Sequence, residues 1–233
     1  MLNSLLVLLM LPVTAVEGLW LKFRATRLPG APGQRTGTVG QGDRLHLLAI
    51  GDSIIDGVGT GCMENALPVL FARALSEGHG KQVDWRVEGQ SGLDIRGLLQ
   101  RLDSVGAETV NVILISIGVN DVTGLTGNQR WRTDVNTLLD RLRSAWPSAQ
   151  ILFAGLPPMS RFPLLPQPLR FTLGWRAETL DSIAAAICSG RPGVHHVPTV
   201  IDPSVHTFSE DGYHPSSESC AAWARELAGF VTA

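Results

Sequence analysis

The chain has 233 residues, 44% of them hydrophobic and 17% charged, with a formal net charge of −2. That is enough apolar material for one sizeable core. The near-neutral balance, with basic density raised only between Lys22 and Arg35, gives no electrostatic case for nucleic acid. The three cysteines, Cys62, Cys188 and Cys220, are odd in number and lack any C-x-x-C pairing, so neither a disulfide framework nor a zinc site is expected.

Leu2 to Leu21 is mostly apolar, and at ~1.5 Å per residue a helix of that length just spans a ~30 Å hydrocarbon core. Pro12 and Glu17 make it an imperfect span. Four readings compete: a signal peptide cleaved near Val13-Thr14-Ala15, an uncleaved anchor, a helix lying on the membrane surface, and an apolar helix packed on its own domain. No Lys or Arg precedes the run, whereas Lys22, Arg24 and Arg27 follow it. The positive-inside rule then favours an uncleaved anchor with the domain on the cytoplasmic face; the alternative is a periplasmic or secreted protein after cleavage. Residues 1–26 are therefore the anchor or signal segment. Residues 27–43 are rich in Gly and Pro without an apolar period and read as a linker, which leaves 44–233 as the globular domain.

Within that domain strand-like and helix-like stretches alternate, the sequence form of βαβ units. Strands are expected at Leu45–Ile50, Val83–Val87, Thr109–Ile117, Gln150–Ala154 and Val194–Val197. Helices are expected at Asn65–Ser76, Ile95–Leu102, Trp131–Trp146, Ala177–Cys188 and Ser217–Phe230, the last with Ser216 as N-cap and Glu218 in its first turn. The predicted fold is a three-layer α/β/α sandwich around a five-stranded parallel sheet in the flavodoxin-like order 2-1-3-4-5.

Chemistry collects where strands end, which is where open α/β sheets carry their sites. Gly51-Asp52-Ser53 follows the first strand, Gly89-Gln90-Ser91-Gly92 the second, and Gly118-Val119-Asn120-Asp121 the third. Asp211-Gly212-Tyr213-His214-Pro215 precedes the last helix. Acyl transfer needs a nucleophile, a base, a group that orients the base, and donors for the developing oxyanion. Ser53 supplies a hydroxyl, and a neutral His214 imidazole can take the proton and return it near neutral pH. Asp211, three residues earlier in the same turn, is placed to fix the imidazole tautomer. His195 and His196 read as packing or edge residues, and His206 as a distant alternative base. No G-x-S-x-G elbow surrounds any serine, which argues against the α/β-hydrolase arrangement.

The four blocks, in this order and over essentially the whole domain from Arg44, resemble the signature of the SGNH, or GDSL-type, hydrolase family. The resemblance implies a Ser53-His214-Asp211 triad and an oxyanion hole formed by the Ser53 N–H, the Gly92 N–H and the Asn120 side-chain amide. Asp52 and Asp121 read as scaffold, holding loops through Asx-type bonds. Two departures stand out. Ile54 replaces the family's leucine, and Leu93 and Asp94 follow Gly92, which leaves Gly89 as the competing oxyanion glycine.

The Pro-rich, apolar stretch Leu156 to Gly174 follows the fourth strand and is expected to border the site. Met159, Arg161, Phe162 and Leu165 are its substrate-rim candidates, with Leu164 and Phe171 as further apolar ones and Arg170 as a second cation for a phosphate or carboxylate. The alternative is a rigid connector packed on its own domain. The expected function is an ester hydrolase without metal or cofactor, acting on small-molecule acyl esters of lipid-derived, lysophospholipase-like character, with possible membrane association through the N-terminal segment and no nucleic-acid partner. The alternatives are an acyltransferase or carbohydrate deacetylase on the same site, and a catalytically silent, membrane-tethered lipid-binding module.

Overall fold

A computed structural model of the chain describes residues 10, 12–14, 16–20, 28–106, 108–199 and 207–232. Its framework is six strands: β1 (Thr36–Val39), β2 (Arg44–Gly51), β3 (Gln82–Gly89), β4 (Val112–Ser116), β5 (Gln150–Ala154) and β6 (Val194–Val197). They lie in the order β1-β3-β2-β4-β5-β6. The five parallel strands keep the predicted 2-1-3-4-5 order. The sixth is an addition: β1 pairs antiparallel with β3 from Thr36↔Arg86 to Val39↔Val83, inside the stretch expected to be a linker. Its partly exposed, alternating pattern suits an edge strand covered on one side only.

Helices cover both faces. α1 (Leu67–His79) and α6 (Ser217–Ala228) pack with Leu47, Ala49, Leu114 and Leu152 on one side. On the other, α2 (Ile95–Arg101), α4 (Asn128–Ala145) and α5 (Leu169–Ser189) pack with Leu48, Ile50, Ile113, Ile115 and Phe153. All five residues of β4 are buried, as a strand covered on both faces requires. Local chemistry sets the helix ends. Asp94 accepts the Gly97 N–H at 2.8 Å to start α2, Ser216 accepts the Ser219 N–H at 3.2 Å to start α6, and Gly80 closes α1 in the left-handed region at φ 62°. A short helix, α3 (Val119–Thr123), follows β4. α5 starts at Leu169, eight residues before the helix expected from sequence, so the connection from β5 is shorter than its proline content suggested. Within that connection Met159 and Leu165 are fully buried in the core instead of lining a rim, because the turn at Met159–Arg161 folds back against α5.

Residues 28–35 also lie on the domain. Ala31 is buried in the core, its N–H donates to the Asp56 carbonyl at 2.9 Å, and the Met63 N–H donates to the Pro32 carbonyl at 2.8 Å. Most of residues 1–26 fall outside the described residues, and those described are helical. Among the described residues no helix is long and apolar enough to cross a membrane.

Backbone approaches backbone closely where β2 ends. Gly51 sits at φ 154°, and a Cβ there would lie 1.9 Å from the Ser116 carbonyl oxygen. Gly51→Ala should therefore cost ~3 kcal/mol or more in stability, since neither strand can retreat without losing its neighbours. Urea unfolding of the variant beside wild type measures it, and a difference below ~1 kcal/mol would show that the two strand ends separate freely.

Candidate active site

At that junction β2 delivers Ser53. The Asp52 N–H donates to the Ser116 carbonyl at 3.0 Å, the Asp56 N–H to the Asp52 carbonyl at 2.9 Å and the Val58 N–H to the Ser53 carbonyl at 3.0 Å. The turn is thus held at both ends, whereas the Ser53 N–H has no acceptor among the described residues.

Opposite it stands the turn before α6. His214 Nε2 lies 3.0 Å from Ser53 Oγ, and His214 Nδ1 lies 2.6 Å from Asp211 Oδ2. With its Nδ1–H donating to Asp211 Oδ2, the imidazole presents the Nε2 lone pair to the serine hydroxyl. Asp211 Oδ1 accepts three further bonds, from the Ser209 hydroxyl at 2.8 Å and from the Tyr213 and His214 N–H groups at 2.9 Å each. Burial opposes ionisation of Asp211, but these donors together hold its carboxyl well below the usual carboxylate range, so it stays charged beside the imidazole. Ser209 had no sequence signal beyond lying two residues before Asp211.

The second and third blocks form the other wall. Along the loop after β3, the Gln90 N–H donates to the Gly51 carbonyl at 3.1 Å, the Ser91 N–H to Asp56 Oδ2 at 3.1 Å and the Leu93 N–H to the Gln90 carbonyl at 3.4 Å. The Leu93 carbonyl in turn accepts Asn120 Nδ2 at 2.8 Å. Gly92, at φ 86°, and Asp94 are the residues of this loop whose N–H groups have no acceptor among the described residues, and of the two Gly92 is the glycine of the second block. Gly89, the competing glycine, packs against backbone instead: a Cβ on it would lie 2.5 Å from the Asp56 nitrogen. Asn120 uses one amide hydrogen on Leu93 and keeps the second.

Asp52 and Asp121 sit beneath the site as scaffold. Asp121 ties the third block to the start of α2, with Oδ2 accepting the Ile95 N–H at 2.9 Å, and braces its own segment, with Oδ1 accepting the Thr126 hydroxyl at 2.9 Å. Asp52 is 1% exposed; its Oδ1 accepts the Ile54 N–H at 3.2 Å and its Oδ2 is buried with no partner among the described residues. Burial pushes Asp52 up to about 7, opposed by the Ile54 N–H and reinforced by the neighbouring Asp121. Burial likewise pushes Asp121 up to about 6, against the bonds from Ile95 and Thr126.

Of the other candidates, Phe162 is buried but borders an apolar cavity of about 100 Å³ beside Ser53 and His214, where Ile54, Val119, Phe208, Tyr213 and Trp223 are further walls. Phe162 meets Phe208 and Tyr213 edge-on, each with ring centroids 5.2 Å apart. Arg161 is exposed, as is Phe171, and Leu164 is half-buried, its N–H 3.3 Å from the Gly212 carbonyl. Arg170 braces the connection internally, donating to the Leu165 carbonyl at 2.6 Å and the Pro163 carbonyl at 3.2 Å. His196 pairs with Asp181 at 2.8 Å and stacks on Phe153, His195 tilts against Phe230, and His206 lies outside the described residues. No group of residues suited to a metal ion occurs among the described residues. The arrangement can lend a hydroxyl to an electrophilic carbon, hold its proton, and offer unengaged N–H donors to an oxygen bearing new charge.

The model of the GDSL-like lipase/acylhydrolase family matches residues 49–222. Among solved structures the chain is similar to the lipase Lip_vut3 from a goat rumen metagenome (18% identity, TM-score 0.64, 80% of this chain and 98% of that one covered). It is similar also to a family two carbohydrate esterase from Clostridium thermocellum solved with cellohexaose (19%, 0.59, 79% and 62%) and to the esterase EstA from Pseudoalteromonas sp. (17%, 0.58, 78% and 93%). At these identities the likeness is one of fold. No curated protein sequence matches the chain.

The state of Asp52 has a measurable consequence. Unfolded, its carboxyl ionises near 3.8; folded, only near about 7. Between those values the folded chain holds an extra proton, so stability falls as pH rises through the window, by at most ~1.4 kcal/mol per unit, and levels off above it. Asp52→Asn cannot ionise and should gain stability relative to wild type as pH rises from ~4 to ~7. Parallel unfolding curves for the two proteins across that range would show that Asp52 is charged in the fold.

Proposed function

The chain belongs to the GDSL-like lipase/acylhydrolase family and is a carboxylic ester hydrolase, and from that premise we propose that it works through an acyl-enzyme on Ser53. His214 Nε2 takes the Ser53 proton as Oγ attacks the ester carbonyl carbon. The carbonyl oxygen becomes an oxyanion facing the N–H groups of Ser53 and Gly92 and the free amide hydrogen of Asn120. Collapse breaks the bond to the leaving alcohol, which receives the proton from His214. Water then attacks the acyl-enzyme with His214 again as base, releasing the acid and restoring Ser53. Asp211 holds the imidazole and stabilises its positive charge in both steps. The observation that carries this reading is the unbroken hydrogen-bonded chain from Ser53 through His214 to Asp211.

The substrate we infer is an acyl ester with an apolar acyl part, lysophospholipid-like in character. The aromatic cavity beside Ser53 supports this, and its volume of about 100 Å³ suits a short acyl group or the first carbons of a longer one. A fluorophosphonate should label wild type and not Ser53→Ala, and His214→Ala should lose at least ~10³-fold in kcat with its fold intact. Labelling of Ser53→Ala, or a loss in His214→Ala below ~10-fold, would remove those residues from their roles. A series of p-nitrophenyl esters of rising chain length, run beside a lysophospholipid and an acetylated sugar, should favour apolar acyl groups over the sugar acetate. Products formed with and without an added alcohol separate hydrolysis from acyl transfer, and free acid alone is expected.

Membrane association is the second part of the proposal. In the described helical residues 12–14 and 16–20, Thr14 is buried and Glu17 Oε2 accepts the Leu169 N–H at 2.9 Å, while Val13, Val16, Leu19 and Trp20 are exposed. The polar side of this segment faces the domain and the apolar side faces outward, the reverse of a helix packed for water. Deleting residues 1–26 should abolish co-flotation with lipid vesicles and leave hydrolysis of short, soluble esters unchanged. A truncated chain that still floats, or that no longer folds, would contradict it.

A further inference from the structure

The loop that presents Gly92 is held from both sides. On the far side Asn120 bonds the Leu93 carbonyl at 2.8 Å; on the near side Asp56 Oδ2 accepts the Ser91 N–H at 3.1 Å. Asp56 lies three residues after Ser53 and is itself clamped. Its Oδ1 meets Arg35 Nη2 at 2.8 Å, with the Asp56 side chain 13% exposed and that of Arg35 41% exposed. Its N–H donates to the Asp52 carbonyl, and its carbonyl accepts the Ala31 N–H, both at 2.9 Å. Two glycines let backbone approach it: a Cβ on Gly30 would lie 2.4 Å from Asp56 Oδ2, and one on Gly89 would lie 2.5 Å from the Asp56 nitrogen. Arg35 is anchored in turn, since its carbonyl accepts the Val87 N–H at 2.8 Å from the strand that leads into the loop.

We propose that Asp56, fixed by Arg35, is the positioning residue of the oxyanion loop: it ties the Ser91 amide to the nucleophile turn, so that the Gly92 amide keeps a set distance from Ser53. This rests on the acyl-enzyme reading above. One carboxylate bridges the two elements whose separation decides whether a carbonyl oxygen reaches both the Ser53 and Gly92 amides. A displacement near 1 Å at such a place costs ~10²-fold in rate. The Gly/Pro-rich stretch that carries Arg35 thereby acts on the site, although none of its residues lines the cavity beside Ser53.

The test compares Asp56→Ala, Asp56→Asn and Arg35→Ala with wild type, each rate divided by the active sites titrated with fluorophosphonate, so that misfolded protein is not counted. Asp56→Ala should lose ~10- to 100-fold in kcat with KM within ~3-fold, because the contact serves the transition state and not the bound ester. Asp56→Asn keeps an oxygen for the Ser91 amide and should recover most of that loss. Arg35→Ala should fall between them, and the double variant Arg35→Ala/Asp56→Ala should be no worse than Asp56→Ala alone, as expected for residues acting through one contact. Rates per titrated site within ~2-fold of wild type in both Asp56→Ala and Arg35→Ala would overturn the proposal, as would an asparagine variant no better than the alanine one. If Asp56→Ala does not fold, Asp56→Asn and Arg35→Ala carry the comparison: Arg35→Ala at wild-type rate overturns the proposal, and Arg35→Ala slower than Asp56→Asn supports it. Wild type that takes no label at Ser53 is a different result, and it falls on the acyl-enzyme itself.

Discussion

Where β2 and β4 end, the Gly51 α-carbon stands so close to the Ser116 carbonyl that a single added carbon would lie 1.9 Å from that oxygen. The rest of the site depends on this contact. It lets Asp52 donate back to Ser116 and turns the chain sharply enough to raise Ser53 out of the sheet while its carbonyl stays bonded to Val58. The same closeness brings the start of α3, with Asn120, and the loop after β3, with Gly92, to the same edge. Short parallel strands ending in register supply this convergence without any long-range covalent link.

Three carboxylates near the site are set apart by their surroundings. Asp211 collects four donors and is held ionised, next to the imidazole whose charge it can balance. Asp52 has one N–H for one oxygen and nothing for the other among the described residues, and burial pushes it up to about 7. Asp121 lies between these extremes, up to about 6, with one bond from the Ile95 N–H at the start of α2 and one from the Thr126 hydroxyl on its own segment. Residue type is identical in all three, and the number of donors against the degree of burial decides which one carries charge. Asp56 is a fourth case, a carboxylate bridging an arginine and a backbone amide, where it connects two loops.

The parallel strands and the three blocks at their ends were legible because each rests on a local signal, a β-branched apolar run and then glycine with a polar residue, and the fourth block was legible from its aspartate and histidine three residues apart before the last helix. Gln150–Ala154 and Val194–Val197 were bounded as the structure has them. What was hidden depends on pairing across the sequence. β1 carries few apolar residues and becomes a strand only because β3 offers it a free edge, so Thr36–Val39 read as linker. The connection Leu156 to Gly174 is apolar and Pro-rich, a composition that suits a rim and a packed connector alike; Met159 and Leu165 join the core, Phe171 is exposed, and Phe162 alone of the apolar rim candidates borders the cavity. Arg170 looked like a free cation in sequence and is occupied by two carbonyls of its own loop. Asp56 gave no signal, because its partners Arg35 and Ser91 lie on segments that meet only after β1 and β3 have paired.

The proposed chemistry depends on one geometric condition, that Ser53 Oγ and three unengaged N–H donors converge on one oxygen position. A crystal structure of the full chain after reaction with an alkyl phosphonate tests it most directly, since the phosphonyl group copies the tetrahedral intermediate. Phosphorus should be bonded to Ser53 Oγ, with its oxygen within ~2.7–3.1 Å of the Ser53 nitrogen, the Gly92 nitrogen and Asn120 Nδ2. An adduct on another residue, or a phosphonyl oxygen turned away from Gly92 and Asn120, would contradict it.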